Sequence, residues 1–271
     1  MSLDDIRRQI ESAATGAEAD ELAWAHWREW MAAGQVEAGR AVLAGVLARD
    51  APPSGLRARV LYADGLLAFR QGDQAASRAR NEAALEMAQE VRDSEAESLA
   101  LVGLSRIALR DGRYRDVVEL ASKARSLVTD AAAQSVPLHM EAAGTRLLGD
   151  YERAQDLYEE RVALARSVGD DALATSELHN LMHVALHRGD VERAESLHAE
   201  WRSAVAGSQN PYDLAMRALD EAALVVAHGD AERARPLLDE AERTLADAGI
   251  ALDPDDAFEL QSLREALPRG D

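Results

Sequence analysis

Three histidines, His179, His183 and His187, stand at i, i+4 and i+8 in the stretch LHNLMHVALH. On a helix that spacing places the imidazoles on one face, and two of them one turn apart can share a metal ion. One ion cannot take all three, because i to i+8 spans about 12 Å at 1.5 Å per residue. A third ligand has to come from another helix, and His139, assisted by Glu141, is the candidate by position. The motif is H-N-L-M-H, not H-E-x-x-H, so the built-in general base of a zinc protease is missing. A second set of residues suits anion capture: Trp24, Arg28, Tyr62, Arg70, Arg106 and Arg110. Guanidinium groups donate paired N–H bonds to carboxylates and phosphates, while aromatic rings stack on ligands or hold cations. His26, His198 and His228 fall outside both sets and read as surface residues. The sequence has no G-x-S-x-G elbow and no glycine-rich phosphate loop, and no cofactor is implied. The acidic pairs Glu159-Glu160 and Asp255-Asp256 read as solvated helix faces or caps.

What positions these residues is an internal repeat. A Gly, usually followed by a polar residue, recurs at Gly34-Gln35, Gly72-Asp73, Gly112-Arg113, Gly149-Asp150, Gly189-Asp190 and Gly229-Asp230, at intervals of 37 to 40 residues. Gly takes the left-handed conformation that ends a helix, and a following Asp can cap the next one. Each Gly therefore marks a tight turn between two helices, A before it and B after it. Offset −11 carries Ala23, Leu61, Leu101, Leu138, Leu178 and Ala218, and offset −4 carries Trp30, Ala68, Ala108, Thr145, Ala185 and Val225. Five residues after the Gly the side chains are mostly small, which lets B lie close to A, and eight residues after it Val42, Leu120, Leu157, Leu197 and Leu237 continue an apolar stripe. Trp27 and Trp30 fall at packing offsets and leave Trp24 facing outward. Neither helix of a pair can bury its apolar face alone, so stacking of the pairs supplies the core.

Prolines agree with these boundaries. Asn210-Pro211 and Asp253-Pro254 each place a cap before a first-turn proline. Pro137 is expected to start or kink a helix, and Pro236 to bend one. The expected organisation is an N-terminal capping helix at 1–19, a repeat array at 20–250, and a C-terminal capping helix and tail at 251–271. The fold class is all-α: a right-handed superhelical α-solenoid of about six helix pairs plus terminal helices.

The repeated G-D-x-x-x-A turn between paired helices resembles tetratricopeptide repeats (TPR) over about residues 20–250. The units are longer than the usual TPR period of about 34, and they lack much of that family's aromatic consensus and the proline after helix B. Stretches such as AGQVEAGRAVLAGVLARD, LYADGLLAFRQGD and LHNLMHVALHRGDVERAESLHAE are most similar to the C-terminal repeat region of bacterial ATPase regulators of the LuxR and AfsR type. Those regulators join such repeats to a nucleotide-binding ATPase and often a helix-turn-helix. Here no G-x-x-x-x-G-K-[ST] loop exists, and few residues lie outside the repeats. The resemblance implies a sensing part without its output parts, that is, a non-enzymatic regulatory module.

In TPR arrays the A helices line the concave surface, and offsets −10, −6 and −2 share one helix face. Across the six units these eighteen positions hold Arg28, Arg70, Arg106, Arg110, His139, His179, His183, His187, Trp24 and Tyr62, and not one acid. About three acids would be expected from 49 in 271 residues. The helix dipole favours cations at offset −2 in any case, and Glu21, Asp64, Glu141, Asp220 and Glu221 sit nearby on the same helices. An Arg-, His- and aromatic-bearing groove suits an acidic peptide, a partner protein or a small anionic effector. Its histidines are expected to be mostly neutral but close to titration. The competing expectation is a metal-dependent enzyme or metal sensor built on His139, His179 and His183.

Composition bounds the rest. The chain has 30 Lys+Arg against 49 Asp+Glu, a formal charge of −19, with 47% hydrophobic residues and no cysteine. That apolar content is enough for a core. Disulfides and thiolate metal sites are excluded, and the acidic balance disfavours direct nucleic-acid binding. The N-terminus, MSLDDIRRQIESAATG, has no apolar signal region, and no run approaches the roughly 18 apolar residues of a membrane span. Cytoplasmic residence is the expectation, with homodimerisation through terminal repeats a minor one.

Overall fold

Fourteen α-helices and no strand are found among the described residues, 1–248 and 252–267, of the computed structural model. The expected junction at 250/251 and the tail beyond 267 lie outside them. The helices are α1 (Leu3–Glu11), α2 (Gly16–Ala32), α3 (Val36–Leu47), α4 (Gly55–Arg70), α5 (Gln74–Val91), α6 (Ser94–Arg110) and α7 (Tyr114–Ser126). They continue as α8 (Ala131–Leu147), α9 (Tyr151–Ser167), α10 (Asp171–His187), α11 (Val191–Ala204), α12 (Pro211–Ala227), α13 (Ala231–Ala248) and α14 (Pro254–Ala266). The all-α repeat architecture is the one the sequence implies: six pairs from α2–α3 to α12–α13, flanked by α1 and α14. The chain forms two compact units, Met1–Met140 and Glu141–Asp271. No helix among the described residues is long and apolar enough to cross a membrane.

The turns explain the repeat. All six marker glycines have φ between 69° and 84°, the region where a Cβ is costly. The amide after each Gly donates back to the carbonyl at offset −4, as in Asp73 N to Ala68 O at 3.0 Å and Asp190 N to Ala185 O at 2.9 Å. That bond consumes an otherwise orphaned helix-end carbonyl. Asp73, Asp150, Asp190 and Asp230 then accept from amides in the first turn of the B helix. Gln35 and Arg113 make no such cap.

Burial follows the register, with one correction. Offsets −11, −7, −4 and +5 are buried in every unit. On the B helices, however, the buried column lies at +9, not +8: Leu43, Asn81, Ala121, Tyr158, His198 and Leu238. Of the +8 residues, Leu157 and Leu197 are buried as well, while Val42, Leu120 and Leu237 are only half-buried. Close approach of the pairs depends on small residues; a Cβ on Gly39 would lie 2.8 Å from that of Trp30. Pro137 does not start its helix, because α8 begins six residues earlier, and Pro137 and Pro236 both lie inside continuous helices.

Candidate functional site

The two units present different chemistry on their A helices. In Met1–Met140, Trp27 and Trp30 are buried as packing residues and Trp24 is half-exposed beside them. The Arg28 guanidinium is exposed and lies over Trp27 and Trp24, 4.5 Å and 5.2 Å from the ring centroids. On α6, Arg106 is half-buried and donates to the Tyr62 hydroxyl of α4 at 3.1 Å. Arg110 is exposed, sits 3.7 Å from the Phe69 ring centroid and donates to the Phe69 carbonyl at 3.1 Å. Arg70 is exposed at the end of α4. Tyr62 departs from expectation: only 4% exposed, its ring packs edge-on against Trp27, so it supports Arg106 and offers no open stacking surface. His139 is half-buried on α8.

Other arginines of this unit do different work. Arg57 meets buried Asp20, Arg59 meets Asp93, and Arg40 and Arg80 both reach buried Asp64. These pairs neutralise the acids of the A helices within the helix stack. The A-helix face keeps guanidinium groups held by rings, a hydroxyl and a carbonyl.

In Glu141–Asp271 the histidine stripe is not an open imidazole groove. His179 and His183 are 7% and 2% exposed, while His187, at the end of α10, is exposed. The cover is α14, whose acids turn inward: Asp255, Asp256 and Glu259 are all at most 6% exposed. Asp255 and Asp256 are therefore neither solvated nor caps, correcting the sequence reading. Arg146 of α8, fully enclosed, donates to Glu259 Oε1 and Asp255 Oδ2 at 3.1 Å each. His179 sets Nδ1 against Asp220 of α12 and Nε2 against Asp256, at 2.8 Å and 3.1 Å. His183 sets Nε2 against Asp220 Oδ1 at 3.0 Å. His187 stacks on Tyr151 at 4.6 Å and reaches Glu259 Oε2 at 3.0 Å. The Tyr212 hydroxyl donates to Asp256.

Electrostatics follow from that packing. Burial disfavours a charged His179, but the Asp220 charge and hydrogen bonds to Asp220 and Asp256 outweigh it. They raise its pKa well above 6.5, so the expected mostly neutral imidazole is a cation here. Burial likewise pushes Asp220 up, and the His179 charge, the hydrogen bonds with His179 and His183 and the approach of His198 carry it well below the ordinary carboxylate value. Glu259 is held at about 2 despite its burial, by His183, Arg146 and His187.

His198 is a further correction. It is buried on α11, 7% exposed, with Nδ1 3.7 Å from Asp220 Oδ2. The group of close metal-ligating atoms among the described residues is His179, His183 and Asp220, within 4.8 Å of one another, with Asp220 as the third member. Glu141 lies 3.8 Å from Arg153. The residues that sequence reasoning missed did leave a signal. Arg146 stands at offset −3, where the other units have Met31, Phe69, Leu109, Leu186 and Val226. Asp220 stands at offset −9, where the other units have Ala25, Ala63, Gly103, Met140 and the polar Asn180.

No protein-family model matches the chain, and no curated protein matches it. Solved structures do. The Rap protein complexed with Competence and Sporulation Factor has a TM-score of 0.64 at 12% identity, covering 97% of this chain and 79% of that one. NprR in complex with its cognate peptide NprX has a TM-score of 0.60 at 15% identity, covering 97% and 76%. A putative kinesin light chain of Podosopora anserina, with nearly identical TPR-like repeats, has 0.54 at 16% identity, covering 76% and 98%. At these identities the likeness is one of fold, the TPR-like helical repeat.

Proposed function

We propose that the chain is a non-enzymatic interaction module whose A-helix face in Met1–Met140 binds an acidic segment of a peptide or partner protein. One observation carries the reading. Nine face positions on α2, α4 and α6 hold four arginines and no acid, and the guanidinium groups of Arg28 and Arg110 are braced on aromatic rings. A braced guanidinium loses little freedom when it takes a carboxylate. Further support comes from the second unit, where an acidic helix of the chain itself lies on the equivalent face. The complexes of NprR with its cognate peptide NprX and of Rap with Competence and Sporulation Factor, on the same kind of fold, point in the same direction. A small anionic effector would use the same arginines. The similarity to LuxR- and AfsR-type repeats suggests a place in cytoplasmic bacterial regulation.

The test is fluorescence anisotropy of a labelled Glu-rich peptide against the full chain. Arg106→Glu with Arg110→Glu is expected to weaken binding at least about tenfold, roughly 1.4 kcal/mol, with helicity unchanged. Equal affinity in the double variant would sink the assignment. Saturable binding of citrate by calorimetry, with no binding of the peptide, would favour the small effector.

A further inference from the structure

Beneath α14, the imidazoles of His179 and His183 turn their two nitrogens to different carboxylates. His179 Nδ1 and His183 Nε2 face inward to Asp220, 2.8 Å and 3.0 Å from its Oδ1. Their outer nitrogens meet α14: His179 Nε2 lies 3.1 Å from Asp256 Oδ1, and His183 Nδ1 lies 3.6 Å from Glu259 Oε2. Metal-binding histidines are held in this way, one nitrogen on the ion and the other against a carboxylate that fixes the tautomer. His198 supplies an independent observation. Its Nδ1 is buried, has no hydrogen-bond partner among the described residues, and points at the same Asp220 from 3.7 Å. Leaving such a nitrogen unsatisfied costs about 1–3 kcal/mol, a cost that a ligand bond removes. Charge argues the same way, because four buried carboxylates (Asp220, Asp255, Asp256 and Glu259) outnumber the two cations beside them, the Arg146 guanidinium and the His179 imidazolium.

We propose that His179, His183, His198 and Asp220 are the ligands of a structural zinc(II) site joining α10, α11 and α12, with Asp256 and Glu259 of α14 as its outer carboxylates. Tetrahedral zinc with bonds of about 2.0–2.1 Å sets neighbouring donors roughly 3.3 Å apart. His179 Nδ1 and His183 Nε2 lie 2.8 Å and 3.0 Å from Asp220 Oδ1, a little inside that separation, and His198 Nδ1 lies 3.7 Å from the other oxygen, Oδ2, a little outside it. Imidazole nitrogen with one carboxylate oxygen is a donor set that zinc accepts. Four protein ligands leave no open position for a reacting water, so the ion holds helices together and performs no hydrolysis. The site is independent of the acidic-peptide face on Met1–Met140.

The full chain, stripped with a chelator, is titrated with zinc chloride by calorimetry and with cobalt chloride by visible absorption. One ion per chain is expected, with the strong d–d bands of tetrahedral cobalt and a raised Tm. His183→Gln and His198→Gln should each lower affinity more than about 100-fold and abolish the bands, and Asp256→Asn should lower it about 10- to 100-fold. His228→Gln, at an exposed histidine bound to Glu195, should change nothing. Circular dichroism checks that each variant folds, and His198→Gln, which breaks no hydrogen bond, serves if His183→Gln does not. The proposal is overturned if the folded chain takes up no stoichiometric ion, or if His198→Gln binds like His228→Gln.

Discussion

On α2, α4 and α6 the repeat face leaves Arg28, Arg70 and Arg110 exposed to solvent, whereas on α10 and α12 the −10 and −6 positions of the same face, His179, His183, Leu219 and Ala223, are buried, with an acidic helix against the histidines. Both faces are built from the same helix positions and both are free of acids in the repeat register. They differ in what covers them. A guanidinium over an aromatic ring stays hydrated and available, so the first unit can hold exposed cations on an acidic chain. Imidazoles and Arg146 set deeper in the second unit would be buried without partners, and α14 supplies carboxylates to them. An acid-free repeat face is therefore a place where acidic groups go, from this chain in one unit and, on our proposal, from a partner in the other.

The largest way to break this contrast is to remove the cation that α14 covers. Arg146→Ala leaves Asp255 and Glu259 buried without their guanidinium and should cost about 3–5 kcal/mol, measured by urea unfolding. A loss below about 1 kcal/mol would mean that α14 is not held by this pair. Next comes truncation before Pro254. The shortened chain should gain binding of a synthetic peptide of residues 253–267 by at least about tenfold over the intact chain, read by anisotropy; equal binding would argue against α14 as the occupant of that face.

Salt sharpens the comparison further. Raising ionic strength from about 0.05 M to 0.5 M should weaken Glu-rich peptide binding on the first unit by on the order of tenfold. The buried α14 cluster is screened far less, so Arg146→Ala should lose a similar stability at both salt concentrations. The smallest effect concerns Asp93, which caps α6 through the Ala96 amide at 2.9 Å and pairs with Arg59. Asp93→Asn keeps a cap acceptor but removes the charge opposite Arg59, and should cost about 0.5 kcal/mol at neutral pH. Burial raises the Asp93 pKa, but the Ala96 amide and Arg59 lower it more, leaving it depressed. Its contribution is therefore full above the unfolded value of about 3.9 and is lost as pH falls through the lower folded value. The wild-type and Asp93→Asn stabilities should converge as pH falls through that lower folded value.

The pairs, their turns and their packing columns were legible in the residues because they repeat. Six glycines at near-equal spacing, each with the same apolar offsets, specify a left-handed turn and two facing stripes whatever lies around them. The exposed arginines of the first unit were legible for the same reason, since a face position needs only the helix period. Part of the second site was written in the register too, as charged or ionisable residues at positions mostly apolar in the other units: Arg146 at −3, Asp220 at −9 and His198 in the buried B-helix column at +9. Their meaning was not. A buried polar group states only that it needs a partner, and the partners of Arg146 lie 109 and 113 residues away on α14. Sequence by itself determined the helix pairs, because their hydrogen bonds and apolar contacts are local and periodic. Only the tertiary structure decided that Asp255, Asp256 and Glu259 leave solvent for the histidine face. That choice depends on long-range desolvation and charge pairing, which no local spacing encodes.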